Sequence, residues 1–215
     1  MTQEQIINSR SDCFDIECRK CERLARFLDE VKAEFPNYYC KPVPPFGDPN
    51  AEILLIGLAA GKHGANATGR PFTGDYAGLL LYETLYKYGL ASQPTGARID
   101  DGLLLNNIRI VNAVKCLPPQ NKPTTQEADN CREFLKNEFK DKKVKTLIAL
   151  GGIAHRAVLK TQGLVLSKYP FAHMSDYILP SGLRLVSSYH CSRYNTQTKR
   201  LSPEMFEAVF ELALE

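Results

Sequence analysis

The sequence predicts a single α/β domain of three layers, in which helices cover both faces of a central, mostly parallel sheet of four strands. Three observations support this fold class. Short apolar runs alternate with helical patterns, Pro- and Gly-rich turns punctuate the chain, and a length of 215 residues suits one compact domain. With 44% hydrophobic and 24% charged residues, the composition is that of an ordinary globular protein, which excludes disordered and collagen-like chains.

Four apolar runs, at residues 53–58, 108–114, 144–150 and 183–187, predict the strands. Each run is rich in branched side chains and nearly continuous, as in strands that are buried on both faces. Because the strands alternate with helices, we expect right-handed crossovers between parallel strands. The carboxyl ends of the strands then share one edge of the sheet.

Helical patterns separate and follow these strands. Apolar residues on one face predict a first helix of about four turns that opens at Cys18 and Cys21. Further helices are predicted over residues 76–90, over residues 124–139, after Gly152 and after Ser202. Thr124 and Glu127 have the spacing of a capping box, and Pro203 suits the first turn of the last helix.

The carboxyl edge of the sheet is where ligands bind in such folds, so the loops after the strands are the places to search. After the first strand, residues 57–75 read GLAAGKHGANATGRPFTGD and contain five glycines, which indicates a loop that lies close against another group. The loop departs from the pattern of a phosphate-binding P-loop. Three residues rather than four separate Gly57 from Gly61, and His63 follows Lys62 where that motif requires Ser or Thr.

Two residues of this loop are candidates for a binding site. Phe72 lies between Pro71 and Thr73, where an aromatic ring can stack on a planar ligand or simply fill the core. Asp75 is the only carboxylate of the loop and precedes a helical pattern. Its residue type alone therefore favours a helix N-cap that accepts hydrogen bonds from free amides.

Two further polar residues lie at the ends of other strands. Asn112 stands in the otherwise apolar run VNAV, where a buried amide must find partners for its oxygen and its N–H groups. A backbone turn is the simplest source of those partners. His190 follows the fourth strand in SSYHCSRYN and can donate to a developing oxyanion, although a lone histidine is more often structural. The position of His190 at the shared edge favours the functional role.

Seven cysteines form an odd number, and in a chain without an export signal they favour metal or redox use over a disulfide scaffold. Cys18 and Cys21 form a CxxC motif, while Cys116 and Cys131 follow the second strand. Four thiolates suit tetrahedral zinc or an iron-sulfur cluster, and the ligand set alone does not choose between them. Cys40 is the rival ligand, and buried hydrophobic cysteines are the alternative without metal.

Charge and hydropathy limit the partners and the cellular compartment that the sequence predicts. A net charge of +3, from 27 basic and 24 acidic residues, permits binding to a polyanion without requiring it. No run approaches the roughly 20 apolar residues of a membrane helix, and the opening MTQEQIINSRSD lacks the apolar core of a secretion signal. We therefore expect a cytoplasmic protein without membrane association.

Taken together, the motifs resemble one family. CRKC, the loop with HGAN, TGR and FTGD, VNAVKCLPPQNKPT with Cys131 beyond it, and HCSRYNTQTKRL resemble the iron-sulfur uracil-DNA glycosylases, specifically the family 5 or UdgB type. The resemblance leaves residues 1–17 as an N-terminal extension and makes residues 18–215 a uracil-DNA glycosylase-like domain. Two positions depart from the expected pattern. Ala60 stands where the family usually has proline, and Cys191 stands where other branches of the superfamily have proline.

The resemblance implies a DNA repair enzyme, a monofunctional uracil-DNA glycosylase. Such an enzyme flips a deaminated base out of DNA and hydrolyses the N-glycosidic bond to leave an abasic site. Uracil is the expected base, with hypoxanthine and related bases in addition. The resemblance also implies a structural [4Fe-4S] cluster held by Cys18, Cys21, Cys116 and Cys131. The expected partner is double- or single-stranded DNA that contains such bases, and the protein is expected to be a monomer.

The same resemblance implies roles for the candidate residues. Phe72 stacks on the flipped base, Asn112 reads its Watson-Crick edge, and His190 stabilises the negative charge that develops on it. Asp75 orients the attacking water as a general base, since residues 58–61 offer no polar side chain for this task. Asn66 is a second candidate for that task.

The resemblance also implies DNA contacts from two segments. Backbone amides of the glycine-rich loop, around Gly57 and Gly61, hold the DNA backbone together with cations that follow His190. Those cations are Arg193, Lys199 and Arg200. Either Tyr194 or Arg193 fills the stack that the flipped base vacates.

Two other functions are alternatives. The first is a nucleotide-handling α/β enzyme with a glycine-rich phosphate loop and a structural zinc, which tight binding of ATP by a colourless protein would identify. The second is a damaged-DNA binding protein of the same fold with little or no catalysis. The lack of a carboxylate in residues 58–61 favours this second alternative, and affinity for uracil-DNA without base release would identify it.

Overall fold

The computed structural model describes residues 12–140 and 142–215, which form one six-stranded sheet with helices on both faces. The strands are β1 (Phe46–Gly47), β2 (Ile53–Ala59), β3 (Ile108–Val114), β4 (Thr146–Leu150), β5 (Asp176–Ile178) and β6 (Arg184–Ser188). The helices are α1 (Glu22–Glu34), α2 (Ala65–Thr68), α3 (Tyr76–Lys87), α4 (Thr125–Phe139), α5 (Gly152–Thr161), α6 (Arg193–Gln197) and α7 (Pro203–Leu214). No helix in the described ranges is long and apolar enough to cross a membrane.

The strand order in the sheet is β1-β3-β2-β4-β6-β5. The four central strands pair in parallel, as the four apolar runs predict, and every residue of β3 is buried. One apolar cluster joins one face of the sheet to α3 and α7, and a second joins the other face to α4 and α5. The predicted three-layer α/β class is therefore confirmed.

The sheet has two strands more than the four that the sequence predicts. β1 and β5 pair antiparallel with β3 and β6 at the two edges of the sheet. β1 has only two residues, and β5 exposes both Asp176 and Ile178. Neither segment contains the continuous apolar run of a strand that is buried on both faces, so the pattern that reveals the central strands misses them.

Local capping explains where the helices begin. The side chain of Asp75 caps α3, the side chain of Ser202 caps α7, and Thr124 with Glu127 forms the complete capping box of α4. α3 ends at Lys87, before the predicted residue 90, because the chain turns at Gly89 with a left-handed φ of 71°.

The N-terminal side of the domain differs from the prediction in one boundary. The first helix begins at Glu22 rather than Cys18, so Cys21 is its N-cap and Cys18 lies in the preceding loop. Of the predicted N-terminal extension, residues 1–11 lie outside the described residues. The described part, residues 12–17, packs onto the domain through the buried side chains of Cys13 and Phe14.

Candidate active site

A cavity of about 410 Å³ opens at the carboxyl edge of the central strands. Its walls come from the loop after β2, the end of β3, the loop that follows β3 and the segment after β6. The predicted site residues in its lining are Gly61, Phe72, Asp75, Asn112, His190 and Arg193. Side chains that are far apart in the sequence therefore meet around one space.

Asn112 reaches this cavity from β3. The residue is 4% exposed, and its side-chain amide makes no hydrogen bond with any described residue. Its neighbour across the sheet is Gly57 in β2. A Cβ at Gly57 would stand 2.5 Å from Oδ1 of Asn112 and 3.0 Å from Cζ of Phe72. Gly57 does not line the cavity itself, but only glycine leaves room for the amide and the ring.

Phe72 forms an aromatic wall of the cavity. Its ring stacks on that of His190, with 5.9 Å between the ring centroids and 26° between the planes. The backbone of Phe72 has a left-handed φ of 53°, which is uncommon for a bulky residue and must be held by its surroundings. The hydroxyl of Tyr82 contributes to this hold, since it donates to the carbonyl of Pro71 at 2.6 Å.

Arg70 and Asp101 also hold the turn that contains Phe72. Arg70 is 2% exposed and donates to both oxygens of Asp101, at 2.9 and 2.7 Å, while its Nε donates to Thr73 Oγ1 at 2.7 Å. Burial opposes ionisation of Asp101, but the hydrogen bonds and charge of Arg70, together with hydrogen bonds from the backbone of Leu103 and Arg98, outweigh it and lower the pKa to about 2. Neither residue has an assigned role from the sequence, because the pair joins two loops that share no local pattern.

His190 faces Phe72 with an imidazole that makes no hydrogen bond to any described residue. Its Nδ1 is buried and without a partner in this part of the chain. Burial lowers the pKa of His190 to about 4, so the ring is neutral at neutral pH. A neutral imidazole carries one N–H donor, which here has no acceptor among the described residues and is available to a ligand.

Asp75 is both a helix cap and part of the cavity wall. Its Oδ1 accepts from the N–H of Gly78 at 3.0 Å, which agrees with the predicted N-cap. Its Oδ2 lies beside the loop, where a Cβ at Gly61 would stand 3.7 Å away and a Cβ at Gly64 only 2.6 Å away. Burial raises the pKa of Asp75, against the hydrogen bonds from Gly78 and Ala77. A carboxylate with a raised pKa at a cavity suits a general base.

Two predicted residues lie outside the lining of the cavity. Asn66 is fully buried, and its Nδ2 donates to Sγ of Cys40 at 3.4 Å, so its amide joins the loop to the segment around Cys40. Tyr194 is 70% exposed on α6. Conversely, Tyr76 and Asn121 line the cavity without an assignment from the sequence. Tyr76 falls in an ordinary helical pattern, and Asn121 lies in a Pro-rich loop whose path the sequence does not fix.

The four cysteines of the predicted metal site come together in space. The start of α1, the loop after β3 and α4 pack around a third apolar cluster, which contains Cys116, Cys131 and the partly buried Cys21. The thiol of Cys116 interacts electrostatically with those of Cys131, Cys18 and Cys21. Segments that are distant in the sequence therefore deliver four thiols to one region.

These thiols are spread more widely than one metal ion requires. Zinc binds sulfur at about 2.3 Å, so its ligands must nearly touch one another. Within residues 12–140 and 142–215, no three potential ligand side chains are grouped in that way. Burial raises the pKa of Cys116 to about 12 and also raises that of Cys131. Both are therefore protonated unless a bound positive group stabilises their thiolates.

The other three cysteines are buried as well. Cys13 is 1% exposed, Cys40 is 8% exposed and Cys191 is inaccessible. The thiol of Cys191 donates to the carbonyl of Ala77 at 3.5 Å, and burial raises its pKa. A thiol in that state is a poor nucleophile, which agrees with the absence of an assigned catalytic role for Cys191.

Comparison with known proteins identifies close relatives over most of the chain. Residues 44–213 match the model of the uracil DNA glycosylase superfamily. The chain is 48% identical over 195 residues to a type-5 uracil-DNA glycosylase of Thermus thermophilus, covering 88% of this chain and 89% of that protein. It is 38% identical over 202 residues to one of Pyrobaculum aerophilum, covering 92% and 88%. A type-4 uracil-DNA glycosylase of Archaeoglobus fulgidus is 30% identical over 138 residues, covering 64% and 56%.

Proposed function

The chain belongs to the uracil DNA glycosylase superfamily, and from this premise we propose that it hydrolyses the N-glycosidic bond between uracil and deoxyribose in DNA. The matches confirm the resemblance that its motifs predict, and they displace the nucleotide-handling enzyme with a structural zinc. One observation carries the proposal. Asn112 and His190 face the same cavity with polar groups that no described residue satisfies.

The amide of Asn112 suits the Watson-Crick edge of uracil. Uracil presents a donor at N3 and an acceptor at O4, which an amide oxygen and an amide N–H can meet together. Cytosine presents the reverse pattern, so an amide held in one orientation rejects it. Leaving a buried polar group unpaired costs about 1–3 kcal/mol, and the correct base recovers this cost. The empty hydrogen-bonding capacity of Asn112 is therefore a source of selectivity.

Phe72 supplies the stacking surface for a base that has left the helix. Extrusion of a base costs a few kcal/mol and is easiest where the base is mispaired, as for uracil opposite guanine. Stacking on an aromatic side chain returns about 1–3 kcal/mol per base. Because Arg70 and Tyr82 hold the turn around Phe72, this surface exists before DNA binds.

His190 stabilises the leaving base. As the glycosidic bond stretches, negative charge grows on the base and positive charge grows on the sugar. The N–H of a neutral His190 then donates to O2 of uracil, where the new charge is concentrated. The N–H of a neutral imidazole is too weak an acid to give up its proton, so uracil departs as an anion.

Asp75 acts on the sugar side of the bond. Its Oδ1 is engaged with Gly78, and its carboxylate also lines the cavity, where it can orient a water and offset the positive charge of the sugar. Its raised pKa makes it a better acceptor for the proton of that water. We assign Asn66 a supporting position instead, because its amide donates to Cys40 and does not line the cavity.

The cysteines Cys18, Cys21, Cys116 and Cys131 are proposed to hold a [4Fe-4S] cluster. Sulfur is the donor that such clusters use, and the four cysteines match the motif positions of the iron-sulfur family that the chain resembles. When bound, the cluster cross-links the start of α1, the loop after β3 and α4, and it takes no part in base release. Bound iron would also supply the positive charge that the buried thiolates need.

The finer features of the substrate follow from the lining of the cavity. Between Leu58 and Ala65 the lining residues are mostly small, which leaves space for hypoxanthine and related bases in addition to uracil. Tyr194 is favoured as the wedge, because its ring is 70% exposed while the guanidinium of Arg193 lies against Tyr76. The protein is proposed to act inside the cell, as a monomer, on double- or single-stranded DNA.

The experiment that tests this function is base release from an oligonucleotide with one uracil, detected by strand cleavage in alkali. We expect release by the wild-type protein and large losses in Asp75→Asn, Asn112→Ala and His190→Ala. Asn50→Ala is the matched control, since Asn50 is exposed and outside the cavity. Affinity for uracil-DNA without any base release would instead identify a damaged-DNA binding protein. Full activity of Asp75→Asn would remove Asp75 from the catalytic group.

A further inference from the structure

The arginines of this protein fall into two groups. Most of them lie within 4.0 Å of a carboxylate oxygen. These paired residues are Arg19, Arg23, Arg26, Arg70, Arg98, Arg109, Arg132 and Arg184. In the described part of the chain, Arg156, Arg193 and Arg200 have no such carboxylate. A guanidinium that is kept clear of acidic side chains retains its full charge for an external anion.

The three unpaired arginines all lie at the carboxyl edge of the sheet. Arg193 lines the cavity at the start of α6, and Arg200 follows the same short helix. Arg156 lies on α5, which follows β4, and its Nη1 folds back to 3.3 Å from the point where a Cβ of Gly152 would stand. All three side chains are exposed. Of the three, Arg193 lines the cavity, while Arg156 and Arg200 lie on the segments that follow β4 and β6 at the same edge.

Two of these arginines are held in place by tyrosine rings. The guanidinium of Arg193 lies 5.1 Å from the ring centroid of Tyr76, and that of Arg200 lies 4.4 Å from the ring centroid of Tyr189. The ring of Tyr189 in turn stacks on His173, with 5.1 Å between the centroids and 15° between the planes. A salt bridge would also fix an arginine, but it would neutralise the charge. A cation-π contact fixes the side chain and leaves the charge available.

We propose that Tyr76 and Tyr189 are positioning residues, which hold Arg193 and Arg200 as a two-point clamp for phosphates of the DNA backbone beside the cavity. Arg156 is the third phosphate contact at the same edge. This inference rests on the proposed function, because it takes DNA as the partner. The planar fork of a guanidinium matches two oxygens of a phosphodiester. Since each guanidinium already lies against a ring, the clamp lowers the entropy cost of fixing the two long side chains on binding.

Salt dependence of binding distinguishes phosphate contacts from other effects. Each neutralised phosphate contributes about 0.9 to the slope of log Kd against log [NaCl] on duplex DNA. The probe is a duplex with a tetrahydrofuran abasic analogue, which cannot be cleaved. We expect Arg193→Gln and Arg200→Gln each to reduce the slope by about 1, the double variant to reduce it by about 2, and affinity to fall several-fold. Arg26→Gln is the control, because it removes the same charge from an exposed, paired arginine.

The tyrosines are tested by variants that keep both arginines. Tyr76→Leu and Tyr189→Leu remove the ring but not the charge, so affinity should fall several-fold while the slope stays near that of the wild type. Tyr76→Phe and Tyr189→Phe keep the ring face and should retain most of the affinity. Circular dichroism of the leucine variants shows whether their loss of affinity comes from the missing ring or from unfolding. Leucine variants that bind as tightly as the wild type would remove the positioning role.

The clamp and the enzymatic function fail in different ways. If the wild-type protein releases uracil and both Arg→Gln variants keep the wild-type slope, the clamp is wrong and the function stands. If the slopes fall as expected but the wild type releases no uracil, the clamp stands as a DNA contact and the glycosylase proposal is wrong. Arg193→Lys and Arg200→Lys keep a point charge, so a retained slope in these folded variants supports phosphate contact.

Discussion

The cavity and the cysteine region both gather residues that are distant in the sequence, yet their polar groups are in opposite conditions. At the cavity, the side chains of Asn112 and His190 make no hydrogen bond to a described residue, while the turn around Phe72 is held by Arg70. In the cysteine region, buried thiols such as that of Cys116 have pKa values that keep them protonated. The cavity thus presents polar groups to a ligand, whereas the cysteine region holds thiols that burial keeps protonated.

Because of this difference, the two regions should affect the stability of the protein in different ways. Unsatisfied groups at a preformed cavity reduce the stability of the free protein and are compensated when a base binds. The cysteines already join α1 to α4 through the third apolar cluster and through the hydrogen bond from Asn130 to Cys21, and a bound cluster would add folding free energy to these contacts. Changes at the cavity should therefore affect activity more than stability, and changes at the cysteines should do the reverse.

The largest expected effect is loss of the cluster. Cys116→Ser should abolish stoichiometric iron and lower the free energy of unfolding by about 4–5 kcal/mol, because loss of a metal site is among the strongest destabilising changes. Iron content and denaturant unfolding under anaerobic conditions measure both effects. Cys40→Ser is the control and should leave the iron content unchanged. Stoichiometric zinc without iron in the wild-type protein would contradict the cluster assignment.

His190→Ala tests the expectation that changes at the cavity affect activity more than stability. It should slow single-turnover base release by about 10²–10³, or roughly 2.7–4 kcal/mol, since it removes a preorganised donor to the developing anion. Its thermal unfolding temperature should fall only slightly, because the imidazole loses its stack on Phe72 but no hydrogen bond to a described residue. A variant that is destabilised as much as it is slowed would show that His190 is structural.

Asp101→Asn should affect both properties, because it breaks the support of the cavity rather than its contacts. Removal of one partner of a buried pair costs about 3–5 kcal/mol, and exposure of Asp101 at 15% places the expected loss near the lower value. The pKa of Asp101 is lowered to about 2, so the pair stabilises the protein above the ordinary pKa of aspartate. That stability should disappear as the pH falls from about 4 to about 2, a dependence that Asp101→Asn lacks.

Gly57→Ala is expected to have the smallest effect of the four. A Cβ at this position would overlap Oδ1 of Asn112 and the ring of Phe72, so the amide and the ring must both shift. Overpacking of this kind costs about 1–3 kcal/mol and should appear as slower release of uracil with weaker binding of substrate. Steady-state kinetics on a uracil oligonucleotide measure this effect. Gly163→Ala offers a comparison, since a Cβ there meets nothing within 4 Å, although the φ of 67° adds backbone strain.

The sequence reveals the features that depend on local patterns. The central strands are predicted because both faces of each are buried, and the cap by Asp75 because it acts within one turn of its helix. Asn112 and His190 are predicted because polar residues at the ends of buried strands are conspicuous. The partnership of Arg70 with Asp101 is not predicted, since it depends on how two irregular loops pack. For the same reason, the sequence does not predict that the side chain of Asn66 contacts Cys40 and lies outside the lining of the cavity.

The central claim is that one cavity reads uracil through Asn112, and base discrimination tests it most directly. Matched duplexes that carry either uracil or cytosine opposite guanine are incubated with the wild-type protein and with Asn112→Ala. We expect rapid release of uracil by the wild type, no release of cytosine, and loss of most uracil release in the variant. Equal release of the two bases by the wild type, or undiminished release of uracil by Asn112→Ala, would contradict the claim.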